Sequence, residues 1–139
     1  LKDGDITIYG EGKQTRSFCY VDNLIDALVA LMDTEDDNLT GPINIGNPNE
    51  FTIKELATKI IDMTNSSSKL IYKQLPEDDP IRRQPDITLA KSILNWFPNI
   101  QIDEGLAHTI KYFSNLKSQA IDNKNADREI KYSKKNTSV

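Results

Sequence analysis

Two hydrophobic patterns trade places along the chain: short β-branched runs, and longer stretches in which apolar residues recur at three-and-four spacing. Ile6-Thr7-Ile8-Tyr9 is a strand signal closed by Gly10, and a second short strand is expected at Phe18 to Val21. Leu24, Ile25, Leu28, Leu31 and Met32 then line one face of a helix that Asp22 can cap and that ends near Asp33. A polar stretch from Thr34 leads into the Gly41-Pro42 loop. After it, Ile43-Asn44-Ile45 reads as a buried strand stopped by Gly46-Asn47-Pro48.

The sharpest local signal is Thr52-x-x-Glu55, a capping box in which two side chains satisfy the first free amides of a helix. Phe51 precedes the cap, where it can clamp onto Leu56. Ile53, Leu56, Ala57, Ile60 and Ile61 supply the apolar stripe, and Asn65-Ser66-Ser67-Ser68 marks the stop before a strand at Leu70 to Tyr72. Pro76, Pro80 and Pro85 exclude a helix or a central strand between them, so this segment is a long loop at the surface or over a ligand. Asp86 caps a helix carrying Ile87, Ala90, Ile93 and Leu94. Asp103 caps another, carrying Leu106, Ile110 and Phe113. From Ser118 large apolar residues become scarce, and residues 118–139 are expected to form a disordered polar tail beyond an ordered domain of residues 1–117. Alternating strands and helices give the α/β class.

Composition narrows the function classes. With 139 residues, 37% hydrophobic and 27% charged, the chain suits a globular domain. A net charge of -4 opposes a nucleic-acid partner, which would call for concentrated positive charge. Cys19 is the only cysteine and His108 the only histidine, so neither an internal disulfide nor a Cys/His zinc cage is expected; both residues read as packing or surface positions. No apolar run approaches the roughly 18 residues of a membrane span. The chain opens at Leu1 and is expected to be a piece of a longer protein, with any targeting segment upstream.

Residues 9 to 20, YGEGKQTRSFCY, carry three candidate signals. A phosphate-binding P-loop needs Gly, four residues, then Gly-Lys-Ser/Thr; here Lys13 is followed by Gln14, and Thr7 stands where the first glycine belongs. The Tyr9/Lys13 spacing imitates a dehydrogenase pair, which works when a helix stacks lysine over tyrosine. Two glycines between them, each costing about 1 kcal/mol in a helix, remove that geometry. Arg16 is the signal with chemistry left in it. A planar guanidinium just after a Gly-x-Gly turn can grip a phosphate or carboxylate through two donors, although a solvated surface arginine is the plain alternative. Arg83, in Asp78-Asp79-Pro80-Ile81-Arg82-Arg83-Gln84-Pro85-Asp86, is a second such group. Arg82 should face elsewhere on an extended backbone, and the adjacent acids Asp78 and Asp79 read as solvated surface without a catalytic role.

The ordered series Ile8 to Asp22, Asn44-Ile45-Gly46-Asn47-Pro48, Phe51-Thr52-Ile53-x-Glu55-Leu56 and Asp78-Asp79-Pro80-x-x-Arg83-x-Pro85-Asp86-Ile87 resembles the C-terminal part of UDP-glucuronate decarboxylase (UDP-xylose synthase) from Leu1 to about Leu116. That family is an extended short-chain dehydrogenase/reductase with a Rossmann-type fold. The resemblance implies a small mixed sheet with packed helices, serving as a substrate-binding subdomain. It also implies a reaction: oxidation at C4 of the glucuronate with tightly bound NAD, loss of CO₂ from the β-keto acid, and return of hydride to give UDP-xylose. The Gly-rich dinucleotide turn and the Tyr-x-x-x-Lys pair of such enzymes have no counterpart here, so NAD and the catalytic residues are expected in an N-terminal half that this chain lacks. The chain alone is expected to be inactive. The resemblance further implies that the loop from Thr7 to Arg16, with Tyr9, Lys13 and Gln14, embraces the UDP-sugar, Gln14 near the nucleoside and Arg16 on the diphosphate. Arg83 would reach toward the diphosphate or the sugar carboxylate. A homodimer is implied, in the cytoplasm or, with an upstream anchor, in the Golgi lumen. Two other readings stay open: a related nucleotide-sugar epimerase or dehydratase, and a non-catalytic α/β interaction module.

Overall fold

The computed structural model describes residues 4–35 and 39–136, with side chains through residue 120. Residues 36–38 of the polar stretch and 137–139 of the polar tail lie outside the described residues. The elements run β1 (Ile6–Tyr9), β2 (Thr15–Ser17), α1 (Val21–Met32), β3 (Glu50–Thr52), α2 (Ile53–Thr64), β4 (Leu70–Lys73), β5 (Arg82–Arg83), α3 (Thr88–Leu94) and α4 (Ile102–Asn136). The chain divides into two compact units, Leu1–Leu106 and Ala107–Val139.

In the first unit, two small sheets stand where the sequence implies one. β1 pairs in parallel with β4, and β2 lies centrally in a mixed sheet of order β3-β2-β5, antiparallel to β3 and parallel to β5. The separation arises at the Gly10-Glu11-Gly12 turn, where Gly10 and Gly12 adopt φ of +63° and +72° and redirect the chain from one sheet to the other. A side chain at Gly12 would meet Ile8 Cγ2 at 2.9 Å and Lys54 Cβ at 3.0 Å. The turn therefore packs on the buried Ile8 and on the start of α2 because position 12 carries no Cβ.

The Thr52–Glu55 capping box is present. Glu55 N–H donates to Thr52 Oγ1 at 3.0 Å, and Thr52 N–H donates to the Glu55 carboxylate at 2.7 Å. Hydrogen bonding to Thr52, first through its backbone and then its hydroxyl, holds the Glu55 carboxyl below its ordinary pKa. Asn65 closes α2 in the left-handed conformation at φ 46°.

Several expectations are corrected. Residues 18–20 form no strand; the strand lies earlier, at Thr15–Ser17, where β3 and β5 supply partners. Ile43 and Ile45 form no strand either, but pack as half-buried residues against a core of Ala27, Ile87, Ala90 and Trp96. Asp22 does not cap α1, because Tyr20 occupies the N-cap position and makes no side-chain capping bond. The apolar stripe of α1 is not its buried side: Leu24, Ile25, Leu28 and Met32 are exposed, whereas Asn23 and Ala27 are buried. Tertiary bonds explain this rotation. Asn23 Nδ2 donates to Asn99 Oδ1 at 2.5 Å, its Oδ1 accepts from Ile100 N–H at 3.0 Å, and its carbonyl accepts from Trp96 Nε1 at 3.0 Å. A buried amide satisfied on this scale anchors α1 where the hydrophobic pattern points elsewhere. Asp86 lies two residues before α3 and accepts from Thr88 N–H at 2.9 Å, and Asp103 lies inside the first turn of α4.

In the second unit α4 carries helical backbone to Asn136. The rings of Tyr112 and Phe113 meet edge to face at 5.3 Å, and both are exposed. A helix this poor in apolar positions gains little beyond its own hydrogen bonds, so the ordered-domain boundary at residue 117 remains an expectation from sequence.

Candidate functional site

Strand register assembles the site. Arg16 faces Arg83 across β2 and β5, and faces Phe51 across β2 and β3. Side chains of register partners leave the same face of a sheet, so both arginines and Phe51 share one face. Thr15, Glu50 and Arg82 occupy the other.

That other face is a closed network. Arg82 donates from Nε to Glu50 Oε1 at 2.9 Å and forms an ion pair with the same carboxylate, while Thr15 Oγ1 donates to Glu50 Oε1 at 2.7 Å. These bonds, Arg82 first, hold the Glu50 carboxyl below its ordinary pKa. Arg82 is thereby committed to structure.

On the candidate face, Arg16 is shielded to 21% side-chain exposure. Nη1 donates to the carbonyls of Thr15 at 2.7 Å and Pro80 at 2.8 Å, and Nη2 meets Asp79 Oδ1 at 2.5 Å. Asp79, a solvated surface acid by its sequence context, is in fact only 26% exposed. No local pattern distinguishes it from Asp78. Arg83 is exposed and takes part in none of the ion pairs among the described residues. Like charges directly opposite one another destabilise a sheet. Asp79 relieves that repulsion on the Arg16 side.

The remaining candidates line the turn before β2. Gln14 Nε2 donates to the Tyr9 carbonyl at 2.9 Å, which folds its amide across the turn, and Tyr9 is half exposed. Lys13 pairs with Glu11 in open solvent, so its charge is already answered locally and weakly. The nearby N-terminus of α2 is no anion site. Its first amides are spent on Gln14 O, Gly12 O and the Thr52 hydroxyl. An open depression of about 620 Å³ on the flank of α2 is lined by Lys54, Thr58, Lys59 and Asp103 among others, and neither arginine borders it. We place the site at the arginines because convergent charge on one face decides anion binding, whereas depression volume does not.

A dinucleotide cofactor does not fit the described residues. The Gly10–Gly12 turn runs into strand β2 rather than into a helix, so no helix N-terminus stands behind it to receive a pyrophosphate. Among the described residues no group of His, Cys, Asp and Glu is arranged to hold a metal ion. Burial pushes the Cys19 thiol above its ordinary pKa, which suits a packing residue.

Residues 1–46 match the model of the NAD dependent epimerase/dehydratase family. UDP-glucuronic acid decarboxylase 1 of Arabidopsis thaliana is 48% identical over 83% of this chain and 26% of its own length. The protein of the same name from Danio rerio is 46% identical over 82% of this chain and 27% of its own length. The chain thus spans about a quarter of the curated relatives it matches. Among solved structures, the UDP-glucuronic acid 4-epimerase of Bacillus cereus, in complex with UDP-glucuronic acid and NAD, superposes with a TM-score of 0.77 at 27% identity, covering 83% of this chain and 37% of that one. The UDP-glucose 4-epimerase of Thermotoga maritima with UDP-glucose gives a TM-score of 0.76 at 28% identity, covering 83% of this chain and 36% of that one.

Proposed function

We propose that this chain, which belongs to the NAD dependent epimerase/dehydratase family of extended short-chain dehydrogenases/reductases, is the nucleotide-sugar-binding part of a UDP-glucuronate decarboxylase. The whole enzyme converts UDP-glucuronate to UDP-xylose and CO₂, and NAD is held by a part of the protein outside this chain. Arg16 grips the diphosphate, Arg83 reaches the diphosphate or the sugar carboxylate, and the turn bearing Tyr9, Lys13 and Gln14 lies along the nucleoside. A homodimer, in the cytoplasm or in the Golgi lumen with an anchor elsewhere in the protein, completes the reading.

The observation that carries it is the register pairing of Arg16 with Arg83. Two cations opposite each other are unfavourable in a sheet, and Asp79 answers only the Arg16 charge, whereas a ligand with a diphosphate and a carboxylate offers an anion to each. A charge-assisted bond from each guanidinium is worth roughly 1.5–3 kcal/mol. The epimerases share the fold, so fold alone does not separate the two activities. Higher identity to decarboxylases supports decarboxylation.

The test is product analysis with the full-length protein and UDP-glucuronate. Release of CO₂ with appearance of a UDP-pentose is expected. Recovery of a UDP-hexuronate epimer without CO₂ would replace the reading with an epimerase, and calorimetry showing no heat with UDP would replace it with an interaction module.

A further inference from the structure

The Arg16–Asp79 pair fastens a strap. Asp79 and Pro80 belong to the proline-bounded segment between β4 and β5, and Arg16 reaches both through Nη2 and Nη1. One residue further, Ile81 accepts from Thr15 N–H at 3.0 Å. β5, which carries Arg83, is only 2 residues long and meets β2 at Thr15↔Arg82 and Arg16↔Arg83. A strand this short contributes too few ladder bonds to fix its own register. Arg82 and Gln84 tie it to Glu50 and to Pro48 O, but these contacts are exposed. The Arg16–Asp79 pair is the shielded contact on the arginine face.

We infer that Asp79 is a positioning residue for the reaction proposed above. It touches neither the sugar nor the diphosphate. Its carboxylate seats the Arg16 guanidinium, and through Arg16 it clamps the strap against β2 so that Arg83 is presented on the same face. Three of the five guanidinium donors of Arg16 are used in this clamp. The remaining donors are left for an anion, already oriented.

Amide exchange and kinetics of the full-length protein test this together. Asp79→Ala should accelerate exchange at Thr15 N–H, whose acceptor is on the strap. It should lower kcat on UDP-glucuronate about tenfold or more while weakening UDP several-fold. Asp79→Asn, which keeps an oxygen acceptor for Nη2, should recover most of both losses. In an Arg83→Ala background the further Asp79→Ala change should cost little additional kcat, because the group being positioned is gone.

Unchanged exchange at Thr15 would overturn the clamp, as would full additivity of the two kcat losses. Tighter UDP binding in Asp79→Ala would overturn it differently, by showing that the carboxylate competes with the ligand for Arg16. Since the inference rests on the proposed function, the exchange readout separates their failures. Faster exchange in a protein that releases no CO₂ sinks the function and keeps the clamp.

Discussion

Arg16 and Arg83, far apart in the chain, are register partners on adjacent parallel strands, and both side chains leave the same face of the sheet. One is seated by Asp79 and two carbonyls, and the other is exposed. In the function proposed above, this asymmetry sets a firmly seated guanidinium for the diphosphate beside an exposed one, held in register by its strand, for the sugar.

Arg16→Ala in the full-length protein is expected to weaken UDP binding tenfold or more, as for the loss of a charged hydrogen bond. Isothermal calorimetry with UDP measures it. Arg16→Lys should fall well short of rescue, since an ammonium lacks the planar fork that reaches Asp79 and two carbonyls together. Unchanged affinity in Arg16→Ala would remove the diphosphate assignment.

Arg83→Ala should reduce turnover of UDP-glucuronate more than it reduces affinity for UDP. Steady-state kinetics beside UDP titration separates the two. Equal losses would show that Arg83 only holds phosphate.

Gly12→Ala is expected to destabilise the fold by about 1–3 kcal/mol, because it combines a left-handed φ with a close approach to buried Ile8. Gly4→Ala is the control, since an added Cβ there meets nothing within 4 Å. Denaturant unfolding compares them, and equal midpoints would show that the turn relaxes freely.

Acid sensitivity should fall in Glu50→Gln. The Glu50 carboxyl is held below its ordinary 4.5 by Arg82 and then Thr15, so the folded state binds fewer protons than the unfolded state in that range. Its contribution is present above the unfolded value and is lost as pH drops through the folded one. Thermal unfolding between about pH 6 and pH 3 should therefore lose less midpoint in Glu50→Gln than in the parent. An identical slope would mean that the exposed side of the Arg82 pair screens it away.

The amino-acid sequence by itself determined the elements whose signals are local. The capping box of α2, its Asn65 stop, strands β1 and β4, and the helix with Ala90, Ile93 and Leu94 follow from side-chain chemistry within a few residues, although Ile87 lies just before that helix rather than on it. Arg16 and Arg83 are legible in the sequence too, because a guanidinium near a turn or on an extended chain is a recognisable hydrogen-bond donor to anions. Tertiary structure decided everything that depends on a distant partner. Only the β2–β5 register put the two arginines on one face, only the strap brought Asp79 to Arg16 rather than to water, and only Asn99, Ile100 and Trp96 turned Asn23 of α1 inward against its own hydrophobic stripe. Strand pairing and the satisfaction of buried polar groups are settled between segments far apart in the chain, so no local window contains both halves of the interaction.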